Sequence, residues 1–165
     1  MKYIQLIILA IVGLLFSCNK ESEPPLYLVI PIVNELEPQS KIINWGEMTA
    51  EEKRQYPLRG FVINSYEDFP NEENLEMKDL QLLDIDFSKY TLLVQYKRIP
   101  GIIKSHHYCW MFDNGMERYE FQASFNIVRF DADNDPNEDL FTYYRAAIIV
   151  NKIMPDKEVV FTTSY

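Results

Sequence analysis

The sequence predicts an α+β domain that is mostly β: one antiparallel, strongly curved sheet of about five to seven strands, with one or two short helices on one side. Three observations carry this expectation. The second half of the chain alternates apolar and polar residues with period two over several short runs. Asn114-Gly115 separates two of those runs, and Asn-Gly is the strongest short hairpin signal. Aromatic residues, which favour pleated sheets, reach 14%, with 11 Tyr and 10 Phe.

The elements follow in chain order. Leu26 to Val33 is an apolar run broken by Pro31, which makes it an edge strand or an extended arm. Thr49-Ala50-Glu51-Glu52 has the spacing of a capping box, so a short helix is expected from about Ala50 to Tyr56, ended by Pro57. Gly60 to Asn64 reads as a short strand; Ser65 suits the start of one helical turn, which Pro70 keeps short. Asn71 to Asp79 is polar and reads as loop.

Thr91 to Arg98 sets Leu92, Val94 and Tyr96 on one face, with Thr91, Gln95 and Lys97 on the other, as in a half-buried strand. A type I′ turn at Asn114-Gly115 pairs Asp113 with Met116. Trp110 then faces Tyr119 and Tyr108 faces Phe121 on an aromatic side, while Cys109 faces Glu120 and His107 faces Gln122 on a polar side. Phe125 to Phe130, Phe141 to Val150 and Glu158 to Thr163 supply further strands, and Pro155-Asp156 suits a turn between the last two. Ala146 to Val150 is apolar on both parities, the pattern of a strand in mid-sheet.

A chain of 165 residues leaves room for one domain. Hydrophobic residues at 47%, charged residues at 25% and only 5 Gly fit a folded globular body and exclude a disordered tail or a collagen-like repeat. The formal charge is −9 and no Lys/Arg block occurs, so the electrostatic footprint for nucleic acid is missing.

The amino terminus has the three-part layout of a secretory signal: Met1-Lys2, the apolar run Leu6 to Phe16, and small Ser17 before Cys18. A membrane-spanning helix needs about 20 apolar residues, so this run is too short for one. Leu15-Phe16-Ser17-Cys18 resembles the lipobox of bacterial lipoproteins. The resemblance implies cleavage before Cys18, diacylation of its thiol and a membrane attachment through those chains, since two acyl chains hold firmly where one holds marginally. Residues 1–17 are thus expected to be a signal peptide, 18–25 a lipidated tether stiffened by Pro24 and Pro25, and 26–165 a single β-rich domain. Loss of Lys2 takes the charge from −9 to −10, a surface that anionic headgroups repel, so the acyl chains alone would hold the protein to the membrane. Asn19 is not the aspartate that retains the lipoproteins it resembles in the inner membrane, and Glu21 with Glu23 resembles their surface-export signal, so the resemblance implies the outer membrane and leaves open which of its faces the protein occupies. Cys109 is the one cysteine left for the body, so no intrachain disulfide is expected.

Asp86-Phe87-Ser88-Lys89-Tyr90, followed by the apolar run Thr91 to Val94, resembles the C-terminal domain of protease-complex accessory lipoproteins (PrcB-like). The resemblance spans roughly Gly60 to Tyr165 and implies a non-catalytic accessory role. The chain departs from that family's paired-glycine turn: Gly101 stands alone, with six residues between it and Tyr108.

Four groups of residues are candidates for chemistry. His106, His107 and Cys109 lie within four positions, and the hairpin register joins His107 and Cys109 to Glu120, a set that zinc accepts; a solvated polar sheet face is the plainer reading. Asp131, Asp133, Asp135 and Asp139 resemble the start of a calcium loop, but Pro136 and Thr142 stand where an EF-hand needs Gly and Glu. An acidic turn is the alternative. Trp45, Trp110 and the tyrosines are candidates for stacking sugar rings. Pairs such as Glu51/Glu52 and Asp84/Asp86 follow from 25 acidic residues and need no glycosidase to explain them. No phosphate loop, Gly-x-Ser-x-Gly elbow or Cys-x-x-Cys is present, and no cofactor is expected. The expected function is an envelope-anchored, non-catalytic module that presents a sheet surface to a protein partner. Carbohydrate binding is the alternative, and a metal-dependent or cysteine hydrolase a distant third.

Overall fold

The computed structural model describes residues 28–56, 58–71, 77–115, 118–128 and 140–165. The stretches expected to be a signal peptide and a tether, with Cys18, and the acidic run with Asp131, Asp133, Asp135 and Asp139 lie outside the described residues, as does the side chain of His107.

Among the described residues, eight strands and two short helices follow in order: β1 (Leu28–Val29), β2 (Ile32–Asn44), α1 (Ala50–Arg54), β3 (Gly60–Ile63), α2 (Lys78–Gln81), β4 (Tyr90–Ile99), β5 (Ile102–Asp113), β6 (Arg118–Val128), β7 (Leu140–Asn151) and β8 (Glu158–Ser164). The protein is mostly β, but the single curved sheet gives way to two open four-stranded sheets, ordered β1-β5-β6-β8 and β2-β7-β4-β3. Nor is the pairing wholly antiparallel, because β8 runs parallel to β6. The chain leaves β6, returns through β7 in the other sheet, and re-enters beside β6 after a second reversal.

Two apolar layers hold this arrangement. Between the sheets lie Leu93, Met111, Phe121, Phe125, Tyr144, Ile148 and Val150, all buried. The outer face of the second sheet is covered as well: Leu92, Val94, Tyr96 and Ile149 pack with Ile63, Phe69, Met77, Leu80 and Ile85. Strand β4 is therefore buried on both faces, including Thr91 and Gln95, and is not the half-exposed strand that its alternation suggests. Gln95 sustains its burial by donating to Thr162 O and Thr163 Oγ1, both at 3.0 Å, which stitches the two sheets together. Strand β7 lies in mid-sheet between β2 and β4, as its two-sided apolarity requires.

Several local expectations hold. Thr49 caps α1 in a full capping box with Glu52. Ser65 precedes a 3₁₀ turn, Tyr66–Asp68, without a side-chain cap bond. Pro155 and Asp156 occupy a turn in which Lys157 N donates to Met154 O at 3.3 Å. Pro31 stands where the chain passes from β1 in one sheet to β2 in the other. Residues 78–81, read partly as loop, form α2.

The hairpin exists, in another register. Gly115 has φ 69°, but no described non-glycine residue has a positive φ, so Asn114 cannot serve a type I′ turn. The loop is longer: Asp113 pairs with Tyr119, Met111 with Phe121, Trp110 with Gln122 and Cys109 with Ala123. This differs from the expected register by three residues, an odd number, so every facing is inverted. Tyr119 is buried at 5% exposure while Trp110 is 42% exposed, on the opposite face. Cys109 consequently faces the core, and Glu120 lies opposite Phe112, away from it.

Candidate functional site

Three features of the fold offer chemistry. The first is the outer face of the first sheet. Tyr108, Trp110 and Phe112 alternate along β5, so all three point outward. Their ring centroids are spaced 6.1 and 6.2 Å, with the planes of Trp110 and Phe112 nearly parallel at 16°. Val29 of β1, paired with Phe112, extends this apolar strip, and Tyr108, Trp110 and Val29 are all exposed. Beside the strip run Glu120 and Gln122 of β6, and Thr162 Oγ1 donates to Glu120 Oε1 at 3.1 Å.

The second feature is a cavity of about 630 Å³ on the outer face of the second sheet, lined by Gln39, Ser40, Lys41, Gln55, Tyr56, Tyr96, Tyr143 and Arg145. Tyr143 stacks on Tyr96 with centroids 5.6 Å apart and meets Tyr56 edge-on at 4.9 Å. Arg145 is held by Asp79 of α2 through Nη1 to Oδ1 at 2.7 Å and Nη2 to Oδ2 at 2.5 Å. Trp45 is not in this wall: Arg98 covers its ring at 4.5 Å and Lys53 at 5.6 Å.

The third feature joins the sheets at one edge. His106 Nδ1 lies 3.2 Å from Glu35 Oε1 on β2, and His106 Nε2 lies 3.6 Å from Cys109 Sγ. On a regular strand, residues three apart point to opposite faces. A register shift between His106 and Tyr108 inserts one extra residue, and this bulge turns His106 to the same interior face as Cys109. Glu35 pairs with Ile148 of the inter-sheet core, so its side of β2 also faces inward. Burial, and then the neighbouring Glu35 carboxylate, push the Cys109 thiol well above its ordinary range. The thiol therefore stays protonated at neutral pH, which makes it a poor nucleophile.

The expected cluster of His107, Cys109 and Glu120 is thus corrected. Cys109 keeps its place, His106 is the described imidazole beside it, and Glu120 lies on the far side of the sheet. Glu35 was not singled out because Pro31 and Pro38 disguise β2 as irregular chain. Pro38 coincides with a register shift between Leu36 and Gln39, which an edge strand tolerates.

No protein-family model matches this chain, and no curated protein or solved structure is similar enough to count as a match.

The segment that carries the accessory-lipoprotein resemblance forms the turn into β4. The Asp86 carboxylate accepts from Ser88 N at 3.1 Å and from Ser88 Oγ at 2.5 Å, and lies 2.7 Å from Lys89 Nζ. Lys89 and Ser88 together hold its carboxyl down at about 2. These contacts are all local, so Asp86 shapes the strand entry. Among the described residues, no helix is long and apolar enough to cross a membrane.

Proposed function

We propose that this chain is a non-catalytic binding module of a bacterial envelope, anchored through a lipidated Cys18 and carrying its partner on the outer face of the first sheet. The observation behind the reading is the strip of exposed Tyr108, Trp110 and Val29 with half-buried Phe112, an aromatic run on the face of β5 opposite buried Cys109 and Met111. Tyr and Trp anchor protein interfaces because each brings a large apolar area with few rotatable bonds. The protonated, buried thiol of Cys109 weighs against a cysteine hydrolase. The resemblance of Asp86 to Tyr90 to accessory lipoproteins agrees with a module that serves another protein.

The test is affinity capture of the lipidated protein from its own envelope, compared with Trp110→Ala and Tyr108→Ala. A partner captured by the parent and lost by both variants, with the fold intact, supports the reading. A partner retained by both would move the docking surface elsewhere.

A second reading rests on the tyrosine-lined cavity. Its volume suits a small ligand, and tyrosine rings beside Gln39 and Gln55 offer a stacking surface with amide hydrogen-bonding groups, as a sugar requires. A glycan array would show binding that Tyr143→Ala abolishes and Trp110→Ala leaves alone.

A further inference from the structure

The cluster at the sheet edge carries an inference independent of the partner surface. We infer that Glu35, His106 and Cys109 form a binding site for one divalent transition-metal ion of the zinc class, which clips β2 of one sheet to β5 of the other. Three chemically different ligands converge: a carboxylate oxygen, an imidazole nitrogen and a thiol sulfur, all within 4.8 Å of one another. Around a tetrahedral zinc, with bonds of about 2.0 to 2.3 Å, ligand atoms stand roughly 3.3 to 3.7 Å apart. Cys109 Sγ stands 3.6 Å from His106 Nε2, already close to that spacing, whereas Glu35 Oε1 lies 3.2 Å from the other ring nitrogen, Nδ1, so an ion held between Nε2 and the sulfur is reached by rotation of the Glu35 side chain.

The backbone brings the three groups together at one sheet edge, and only side-chain rotation is needed to set them around one ion. The three ligands come from strands in different sheets, and the bulge that aims His106 inward is what brings it beside Cys109. Phe125 packs against the imidazole at 5.1 Å, which limits its rotation. Sulfur and imidazole together favour zinc-class ions over calcium or magnesium, which take oxygen. Glu35 and His106 side chains are 36% and 17% exposed, so the ion has a path from solvent and room for water as a fourth ligand. On binding, the S–H bond of Cys109 breaks, its proton passes to buffer, and the sulfur lone pair forms the bond to the metal.

An alternative is an inward-pointing acid on an edge strand, balanced by a histidine with no ion. The experiment separates the two. Full-length protein in detergent, stripped with chelator, is titrated with Zn²⁺ alone by calorimetry and with Co²⁺ alone by absorbance. Expected are one ion per chain, a thiolate-to-cobalt charge-transfer band, and a melting temperature that rises with Zn²⁺ concentration. Cys109→Ser should remove the band. Glu35→Gln, at a partly exposed position on an edge strand, should keep the fold while weakening binding by roughly tenfold or more. Absence of stoichiometric binding, or equal affinity in folded Glu35→Gln and His106→Ala variants, would overturn the inference. So would displacement of bound Co²⁺ by excess Ca²⁺, which would mark an oxygen-only acidic site.

Discussion

The guanidinium of Arg145 meets the carboxylate of Asp79 as a two-bonded fork, joining the middle of β7 to the short helix α2. Arg145 is 4% exposed while Asp79 is 50% exposed, so a charge inside the fold is neutralised by a partner that reaches in from the surface. Gln39 adds a hydrogen bond to the same carboxylate at 3.3 Å. This fork secures one wall of the tyrosine-lined cavity.

Asp79→Asn should therefore destabilise the protein by about 1 to 3 kcal/mol, because Arg145 loses its charged partner inside the fold. The pH dependence has a defined sign. The Arg145 hydrogen bonds hold the Asp79 carboxyl below its ordinary value of 3.8. A depressed folded value contributes stability that is present above the unfolded value and is lost as pH falls through the folded one. Urea unfolding at pH values from neutral to below 3.8 should show the parent losing more stability than Asp79→Asn. Parallel curves would refute this.

Gly60→Ala is expected to cost about 1 to 3 kcal/mol by overpacking. A methyl group at Gly60 would stand 2.1 to 2.3 Å from the Phe161 ring, which belongs to β8 of the facing sheet. Chemical denaturation reads the loss, and Phe161→Leu in the same chain should restore part of it.

Thr49→Ala removes one half of the capping box of α1. Thr49 Oγ1 accepts from Glu52 N at 3.2 Å, and Thr49 N donates to Glu52 Oε2 at 2.7 Å. A loss of about 1 kcal/mol is expected in thermal unfolding.

In metal-free protein at neutral pH, Cys109 should resist alkylation by a thiol reagent until the fold opens. Its side chain is buried, and burial together with Glu35 keeps it protonated. Mass spectrometry should find modification that rises with urea in step with unfolding. Rapid labelling without urea would contradict the buried placement.

Trp110→Ala should change stability by less than about 0.5 kcal/mol, as surface substitutions generally do, while removing partner capture. Its ring is exposed and its neighbours in the strip are side chains on the same outer face.

What the sequence determined by itself was local. The capping box at Thr49, the hairpin around Gly115, the strand entry after Asp86 and the two-sided apolarity of β7 are short-range patterns, and each appears where it was read. Facing and partnership were decided by tertiary structure. Trp110 and Tyr119 are both aromatic, so composition could not say which one the core would take, and a loop longer by three residues reversed the assignment. Glu35 and Cys109 are 74 positions apart and meet because two sheets stack and one strand carries a bulge. Side-chain parity in a strand is inherited from every loop and bulge before it, and sheet stacking is settled by the burial of both apolar layers together, so neither is written in any one segment.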